Sequence, residues 1–581
     1  MTNPIKVAAD AVIHFLHNMG VNTFHNYPGG TIAPLLDACP QFDINVITSR
    51  HEQGAGYAAL AQAKLTGLPG IVGVTSGPGV TNILTPVADA YFDSIPLLVF
   101  TGQVGTGDIN RYQGIRQRGF QEVDTPLLMQ AVTKAQFQPK SVAELIEILP
   151  QAWNIAIEGR KGPVSIDLPM DVQRSPYQQT ITPKAAPAQL VNNSELTEFT
   201  QSLMTQVAQA KKPVIICGNG MANKELAVVL NKILACWPAA VSHSLLGIGV
   251  LDSHSPLALG FHGHTGSQVA GYAINEADLV LVLGSRLDVR QTGTLVDTFA
   301  PNAQLYRVDF DSDELTHARI KNDKQLNLAL ELFLPHFCQQ IEALATPINL
   351  ADWHQQIASL KSQFSWPYPA YPGISPVKVI ETLSAQMPEN TICVTGVGAH
   401  QHWVARHFRF ALPNRQFFTS AGHGAMGYDL PTAIGAAMHS PESEVLCIVG
   451  DGSFQMNIQE LGVITEYGLK VKIVVLDNHR LGLVSQFQLM NWDTDVACGK
   501  KHTPDFCMIA KGYGLSAQHC NDPSQLASAI EQFVQTDSAA LLHIEIDNRH
   551  DVLPMLLGGQ TTDKMWPYYD MQGNKLEHND E

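Results

Sequence analysis

Short runs of β-branched and aliphatic residues alternate with helix-like segments through most of the 581-residue chain. Several runs end in Gly, Asp or Ser just before a helix begins, as in GIVGVTS (70–76), PVIICGNG (213–220) and VLCIVGDG (445–452). Buried strands that each lead into a helix are typical of βαβ units in parallel sheets covered on both faces. The sequence therefore predicts an α/β protein built from doubly wound parallel sheets.

Two stretches interrupt this alternation and divide the chain. Residues 180–196 (TITPKAAPAQLVNNSEL) and 345–376 are rich in proline and polar residues and read as linkers. A domain usually takes about 100–200 residues, so a chain of this length needs several cores. We expect three parallel-sheet domains, at 1–180, 190–345 and 370–560, followed by a C-terminal arm at 561–581.

Charge and cysteine usage narrow the class of function. The formal net charge of −17 disfavours nucleic acid and anionic membranes as partners. The nine cysteines are scattered without a CxxC pair, which favours buried, reduced thiols over disulfides or a metal cluster. The N-terminus does not resemble a signal peptide, and no apolar run approaches the roughly 18 residues of a membrane span. We expect a soluble, cytoplasmic protein.

An acidic residue between two glycines ends one of the most apolar runs. Asp451 follows VLCIVG, and a second run, VKIVVLDN (471–478), ends in Asn478, 27 residues further on. One βαβ crossover needs about 30 residues, so the two side chains can lie at adjacent strand ends. Carboxylate and amide oxygens suit Mg²⁺, and glycines allow a phosphate to approach the backbone. This spacing favours a magnesium–diphosphate site, although a plain βα turn also uses such a triplet.

Two further stretches leave a structural and a functional interpretation open. Glu52 follows an apolar run at the start of an Ala-rich helix, where a carboxylate is either a partner of the helix dipole or a buried acid. Residues 75–104 are rich in glycine and small side chains. They favour either tight helix–sheet packing or a surface that a ligand or another subunit approaches closely.

Taken in order, the motifs resemble those of the thiamine diphosphate (ThDP) enzymes, and among them the acetolactate synthase large subunits. GDGSFQMNIQEL followed by LDNHRLGLV is similar to the family's diphosphate motif. The similarity covers almost the whole chain, and its other motifs are YPGG (27–30), RHEQGAGYAA (50–59), TSGPGVTN (75–82), GFQE (119–122), VGAHQHW (397–403), GHGAMGYDLPTAIGAA (422–437) and VLPM (552–555).

The resemblance assigns roles to matching residues. It implies Mg²⁺ ligation by Asp451, Asn478 and the backbone oxygen of Arg480, and it makes Glu52 the acid that hydrogen-bonds the ThDP pyrimidine. Phe120 and Gln121 match residues beside the reacting centre, and Met426 would support the bent cofactor. The implied ThDP contacts are Pro28, Gly30, Glu52, Asn82, Gly398, His400, Gly424, Met426, Gly452 and Ser453.

The resemblance also implies a flavin and an assembly. The middle block is similar to the family's FAD-binding domain, where the FAD takes no redox part in the overall reaction; an empty Rossmann-like domain is the open alternative. A homodimer or homotetramer would form each active site between the first and third blocks of two chains, and a small regulatory subunit is a possible partner. The implied FAD contacts are Arg160, Gly218, Gly220, Gly263, Arg286, Arg290 and Asp309.

The positions that would line the second-substrate pocket depart from the family pattern. Three positions differ: Met170 replaces the family's usual Lys, Phe487 its usual Trp and His264 its usual Met. The expected reaction is decarboxylation of pyruvate or a similar 2-oxo acid and transfer of the hydroxyethyl carbanion to a second 2-oxo acid, giving acetolactate. A relative with another acceptor or donor, or a non-catalytic ThDP-binding paralogue, remains an alternative.

Overall fold

The computed structural model of the chain describes residues 4–109, 114–116, 119–184, 191–344, 346, 348–365, 369–499, 502–570 and 572–576. Three six-stranded sheets account for all eighteen strands in these ranges, and every strand pairing within them is parallel. The predicted α/β fold class with three parallel-sheet domains is confirmed. The predicted domain limits remain predictions, and those at 190 and 345 lie outside the described residues.

The N-terminal sheet has the order β2-β1-β3-β4-β6-β5. Its strands are β1 (Thr23–Tyr27), β2 (Asn45–Thr48), β3 (Gly70–Val74), β4 (Leu97–Gln103), β5 (Ala135–Phe137) and β6 (Pro163–Pro169). The helices of this domain are α1 (Ala8–Asn18), α2 (Ala33–Ala38), α3 (Glu52–Thr66), α4 (Pro78–Phe92), α5 (Thr125–Met129), α6 (Val142–Ile157) and α7 (Met170–Arg174).

The middle sheet has a different order, β12-β11-β10-β7-β8-β9. Its strands are β7 (Pro213–Cys217), β8 (Ala240–His243), β9 (Ala258–Phe261), β10 (Leu279–Leu283), β11 (Gln304–Asp309) and β12 (Asp323–Asn327). Its helices are α8 (Asn193–Val207), α9 (Lys224–Cys236), α10 (Gln268–Glu276), α11 (Val289–Thr292), α12 (Ser312–Thr316), α13 (Leu330–Glu342) and α14 (Ala351–Gln363).

The C-terminal sheet repeats the topology of the first, in the order β14-β13-β15-β16-β18-β17. Its strands are β13 (Thr391–Val394), β14 (Gln416–Phe418), β15 (Glu444–Gly450), β16 (Val471–Asp477), β17 (Ser516–Cys520) and β18 (Ala540–Glu545). Its helices are α15 (Pro376–Gln386), α16 (Ala399–His407), α17 (Asp429–His439), α18 (Asp451–Phe454), α19 (Leu461–Glu466), α20 (Gly482–Trp492), α21 (Phe506–Gly512) and α22 (Leu526–Gln535).

The two domains of like topology share one hydrophobic core. Helix α3 crosses α17 so closely that a Cβ at Gly435 would lie 2.4 Å from the carbonyl oxygen of Ala58. Small residues permit this approach, and Tyr57 of α3 packs edge-on against Tyr428. The Ala-rich composition of α3 is therefore explained by helix–helix packing between domains.

The C-terminal arm returns to the middle domain. Tyr568 is buried in the core of that domain, packs on Phe364 and donates its hydroxyl to the Phe364 carbonyl at 2.5 Å. No helix in the described part of the chain is both long and apolar enough to cross a membrane.

Candidate active site

The predicted metal ligands lie at neighbouring strand ends. Strands β15 and β16 pair in parallel with Gly450 opposite Leu476, so Asp451 and Asn478 emerge at the same edge of the sheet. Both side chains are buried. Helix α18 begins at Asp451 itself, and the longer helix α19 begins at Leu461. Asn457 interrupts the helix because its amide donates to the Gly427 carbonyl and to Gln53.

The neighbouring carboxylate of Asp477 is already hydrogen-bonded to two protein groups. It accepts from the backbone of His479 at 2.9 Å and from His543 Nε2 at 3.0 Å. Burial acts to lower the pKa of His543, but the Asp477 carboxylate outweighs it and raises that pKa to about 9. In the described ranges no three His, Cys, Asp or Glu side chains cluster as metal ligands. The carboxylate of Asp451 and the amide oxygen of Asn478 are donors that suit an ion such as Mg²⁺, which takes single oxygens from mixed protein groups and the rest from a phosphate and water.

Asp429 organises the floor beside this edge, and sequence reasoning missed it. It begins α17, is buried, and accepts from His400 Nε2 at 3.2 Å, from the Ser453 hydroxyl and from the Gly396 backbone. Ser453 in turn accepts from the backbone of Gly427 at 2.8 Å. The predicted diphosphate contacts His400 and Ser453 thus belong to one hydrogen-bonded network.

Glycines are required where the chain passes over His400. Gly398 has φ of +153°, and a Cβ there would lie 2.7 Å from the His400 ring. A Cβ at Gly450 would lie 2.9 Å from His400 Nδ1. Gly424, by contrast, has open space around the position of its missing side chain. The first two glycines serve packing, while Gly424 leaves room beside Met426, which is half-buried.

Glu52 is a buried acid at the start of α3, with only 5% of its surface exposed. Its Oε2 accepts from the side-chain amide of Asn82 at 2.9 Å. Of the two interpretations left open by the sequence, burial and a specific amide partner favour the functional one.

Glu460 of the C-terminal domain caps the same helix start and was not predicted. Both its carboxylate oxygens lie 3.1 Å from the backbone nitrogen of Arg50. A side chain at Gly54 would collide with this carboxylate, because a Cβ there would lie 2.4 Å from Glu460 Oε1. Burial raises the pKa of Glu460 to about 7.

Replacing Glu460 with Gln should flatten part of the pH dependence of stability. A carboxyl whose pKa is raised by folding favours the folded state when protonated, so this contribution is lost as pH rises from about 4.5 to 7. This pKa shift corresponds to about 3 kcal/mol in the free energy of unfolding. Thermal unfolding at pH 5 and pH 8 checks this prediction. The stability of the variant relative to the wild type should be higher at pH 8 than at pH 5. An unchanged difference between the two pH values would contradict the buried, protonated Glu460.

The other predicted residues of the N-terminal domain lie at the same sheet edge as Glu52. Gln121 adopts φ of +58° and packs over Gly77, where a Cβ would lie 2.9 Å from Gln121 Cβ. Phe120 is 83% exposed. Pro28 and Gly30 are exposed just beyond β1.

Apart from Arg160, which lies between α6 and β6, the residues predicted to contact FAD lie at or just after the ends of β7, β10 and β11 and in the β9–α10 turn. Gly218 and Gly220 pack against Gly284, with a Cβ at Gly218 falling 2.0 Å from the Gly284 carbonyl oxygen. A Cβ at Gly263 would fall 2.2 Å from the carbonyl oxygen of Arg290. These glycines thus allow close packing of the strand-end turns.

Three charged members of this set, Arg160, Arg286 and Asp309, have protein partners. Arg160 binds Asp311 at 3.1 Å and Glu314 at 2.6 Å, which links the N-terminal and middle domains. Arg286 pairs with Asp288 at 3.2 Å. Asp309 is the last residue of β11, and burial raises its pKa.

The predicted substrate-pocket residues lie in three different domains. Met170 begins α7, and Phe487 is 52% exposed on α20, in edge contact with Trp492. His264 follows Gly263, and burial lowers its pKa to about 4. Among the described contacts, no hydrogen bond or ring contact joins any two of these three residues.

Family models match the chain in three places. They describe the N-terminal TPP-binding domain (residues 6–128), the central domain (200–331) and the C-terminal TPP-binding domain (396–544) of thiamine pyrophosphate enzymes. Each segment covers most of the strands of one of the three sheets. The outer two contain most of the predicted ThDP contacts.

Curated relatives extend the match to nearly the full length. The chain is 37% identical to the acetolactate synthase isozyme 2 large subunit of Escherichia coli K12 over 96% of this chain and 98% of that protein. It is 36% identical to the large subunit of Lactococcus lactis over 95% of both, and 35% identical to the mitochondrial catalytic subunit of Saccharomyces cerevisiae over 97% of this chain and 84% of that protein. The chain therefore belongs to the thiamine diphosphate-dependent enzymes, in the family of the acetolactate synthase large subunits.

Proposed function

We propose that this enzyme joins two 2-oxo acids with loss of CO₂, and that pyruvate gives acetolactate. One carbon–carbon bond of the first acid breaks, and its two-carbon acyl unit forms a new bond to the carbonyl carbon of the second. The observation that carries the proposal is the full-length similarity to acetolactate synthases combined with retained Glu52, Asp451 and Asn478 at two ligand-binding sheet edges.

The C-terminal sheet edge would hold ThDP through Mg²⁺. Asp451, Asn478 and the backbone oxygen of Arg480 would bind the ion, while the glycine-rich turns at Gly398 and Gly452 would admit the diphosphate. When bound, ThDP supplies the carbon nucleophile and the electron sink that decarboxylation requires. The buried network around Asp429 supports a rigid floor for this end of the cofactor.

Glu52 would act on the pyrimidine end. Its buried carboxylate accepts a hydrogen bond from Asn82, which fixes the position of one oxygen. A carboxylate in a low-dielectric site holds a proton at a pyrimidine ring nitrogen more strongly than it would in water. Phe120 and Gln121, at the same edge, would cover the reacting centre and exclude water.

Exposed apolar residues support assembly into at least a homodimer. Large apolar side chains on α4, on α5 and beside the Glu52 and Asp451 edges are exposed, and a monomer would leave them in water. We propose that a second copy covers them and brings its Asp451 edge opposite Glu52, with a tetramer or a small regulatory subunit as further levels of assembly. The exposed residues are Tyr91, Phe92, Phe120, Leu127, Leu128 and Met456.

The middle domain would bind FAD at the carboxyl ends of β7, β10 and β11. Tight glycine turns and the half-buried Asp309 suit a dinucleotide, whose ribose hydroxyls are partners for such an acid. His243 is the last residue of β8, and neither of its ring nitrogens is hydrogen-bonded to a described residue. Both nitrogens can therefore form hydrogen bonds with a ligand at this edge. Flavin absorbance of the purified protein, close to one FAD per chain, tests this assignment.

The reaction is tested by assaying CO₂ and acetolactate together from pyruvate, ThDP and Mg²⁺. Two pyruvates should yield one CO₂ and one acetolactate, and a chelator should stop both. CO₂ without acetolactate would overturn acetolactate formation and point to another acceptor, which the changes at Met170 and Phe487 would accommodate. No turnover with any 2-oxo acid, despite bound ThDP, would indicate a non-catalytic paralogue.

A further inference from the structure

The last turn of α4 holds a loop of the C-terminal domain of the same chain. Asp89 and Asp93 lie four residues apart, and therefore on one face of the helix. Both side chains are buried. This face meets residues 420–426, the segment that leads from β14 to Met426 and α17.

Asp89 fixes the middle of the loop through one hydroxyl. Ser420 Oγ donates to Asp89 Oδ1 at 2.7 Å and accepts from the backbone nitrogens of Gly424 at 3.1 Å and Ala425 at 3.0 Å. A hydroxyl has two acceptor lone pairs and one proton. Both lone pairs are used by the loop, so the proton points to Asp89 and sets the rotamer of Ser420.

Asp93 and Phe92 fix the start of the same loop. Asp93 accepts from the backbone nitrogens of Ala421 at 3.0 Å and Gly422 at 2.7 Å. The ring of Phe92 stacks on His423, with centroids 5.7 Å apart and planes 7° from parallel. A Cβ at Gly422 would lie 2.8 Å from Phe92 Cβ, so glycine is required for this approach.

We propose that Asp89, Phe92 and Asp93, here called the α4 clamp, are positioning residues that give the loop the shape in which Met426 receives ThDP. The inference rests on the proposed function for the role of Met426, and on the proposed dimer for which cofactor each residue serves. In the proposed dimer, each N-terminal domain then serves two cofactors. Glu52 acts on the one bound to the partner's C-terminal domain, and the clamp shapes the loop of its own chain.

The surroundings of Asp89 make an isosteric test possible. Tyr57 donates its hydroxyl to Asp89 Oδ2 at 3.2 Å, and Lys64, Asp93 and Tyr428 are the other titratable groups that act on it. An amide at position 89 can still accept from Ser420 and can donate to Tyr57, because a phenol accepts as well as donates. Asp89→Asn therefore keeps the clamp, whereas Asp89→Ala removes it.

The first experiment separates the loop from the cofactor. Hydrogen exchange of the Gly424 and Ala425 amides, without ThDP, should accelerate about tenfold or more in Asp89→Ala and in Ser420→Ala, and Asp89→Asn should restore most of the protection. The affinity for ThDP with Mg²⁺ should fall by a similar factor in the same two variants. Asp278→Ala is the matched control, because Asp278 also accepts from two backbone amides, at Lys211 and Lys212, far from the loop.

Each outcome of this experiment decides a point. Unchanged amide exchange in Asp89→Ala or, if that variant does not fold, in Ser420→Ala overturns the clamp. Faster exchange with unchanged ThDP affinity overturns its positioning role. A wild-type protein that binds no ThDP would refute the proposed function, while the exchange data would still decide whether the clamp holds the loop.

Mixed dimers test whether one domain serves two sites. Chains carrying Glu52→Gln and Asp89→Ala separately, paired through different affinity tags, should retain about half of the wild-type activity, because one site receives neither change. A chain carrying both changes, paired with a wild-type chain and assayed at limiting ThDP, should retain only about a tenth of the wild-type activity, because each site receives one change. The reverse pattern would show that Asp89 serves the same cofactor as Glu52 and would overturn the two-site role.

Discussion

Glu52→Gln should lower acetolactate formation by about 10²–10⁴-fold, the usual contribution of a general acid–base group. The amide keeps the shape of the side chain and can still meet Asn82, but it cannot exchange a proton with a pyrimidine nitrogen. The affinity for ThDP should change far less than kcat, because the diphosphate and metal contacts lie on the other sheet edge.

Steady-state rates with pyruvate and a separate ThDP titration check this prediction. Glu466→Gln is the matched control, since Glu466 lies near the same helix start, paired with Arg50, but is exposed. A Glu52→Gln enzyme within tenfold of the wild type would contradict the role of Glu52, whereas equal losses in both variants would indicate a nonspecific effect of removing charge.

Asp451→Asn should weaken binding of ThDP with Mg²⁺ by about a hundredfold, on the scale known for disturbed metal sites. The amide preserves the volume of the buried side chain at the start of α18 but removes the negative charge that the ion requires. Activity should recover in part at high Mg²⁺, because mass action offsets a weaker site.

Asp477→Asn is the comparison that makes this result specific. Asp477 ends the neighbouring strand, but its carboxylate faces His543. Its loss should lower the pKa of His543 from about 9, because the carboxylate that opposes the effect of burial is removed and the hydrogen bond with Cys507 remains, while metal affinity is retained. Calorimetric titration of Mg²⁺ and ThDP, with NMR titration of His543, separates the two residues. Equal losses of metal affinity in both variants would contradict the assignment of Asp451.

Local patterns were sufficient for the fold class and for the two strand-end sites. A buried parallel strand followed by a helix leaves its mark within about ten residues, so the apolar runs ending at Gly450 and Asp477 were visible in the sequence. The parallel pairing of β15 and β16 then follows from one crossover of ordinary length. Asp451, Asn478 and Glu52 were identified as candidate site residues because each follows such an apolar run, and this position is also visible within a short segment.

The residues that sequence reasoning missed are those whose partners are far away in the chain. Glu460 caps a helix 410 positions earlier, and Ser420 meets Asp89 across 331 positions. Asp429 carried one usable signal, an acidic residue at the first position of an Ala-rich helix, but its partners at 396, 400 and 453 converge only in the folded domain.

The sequence by itself determined the kind of sheets, the residues that stand at the carboxyl ends of their strands and the family, because strand–helix alternation and cofactor motifs are encoded within short segments. The tertiary structure alone decided how the N- and C-terminal domains join, and hence which buried acids hold the site together. That arrangement depends on the packing of α3 and α4 against α17 and its preceding loop, and no local pattern records which distant surfaces will meet.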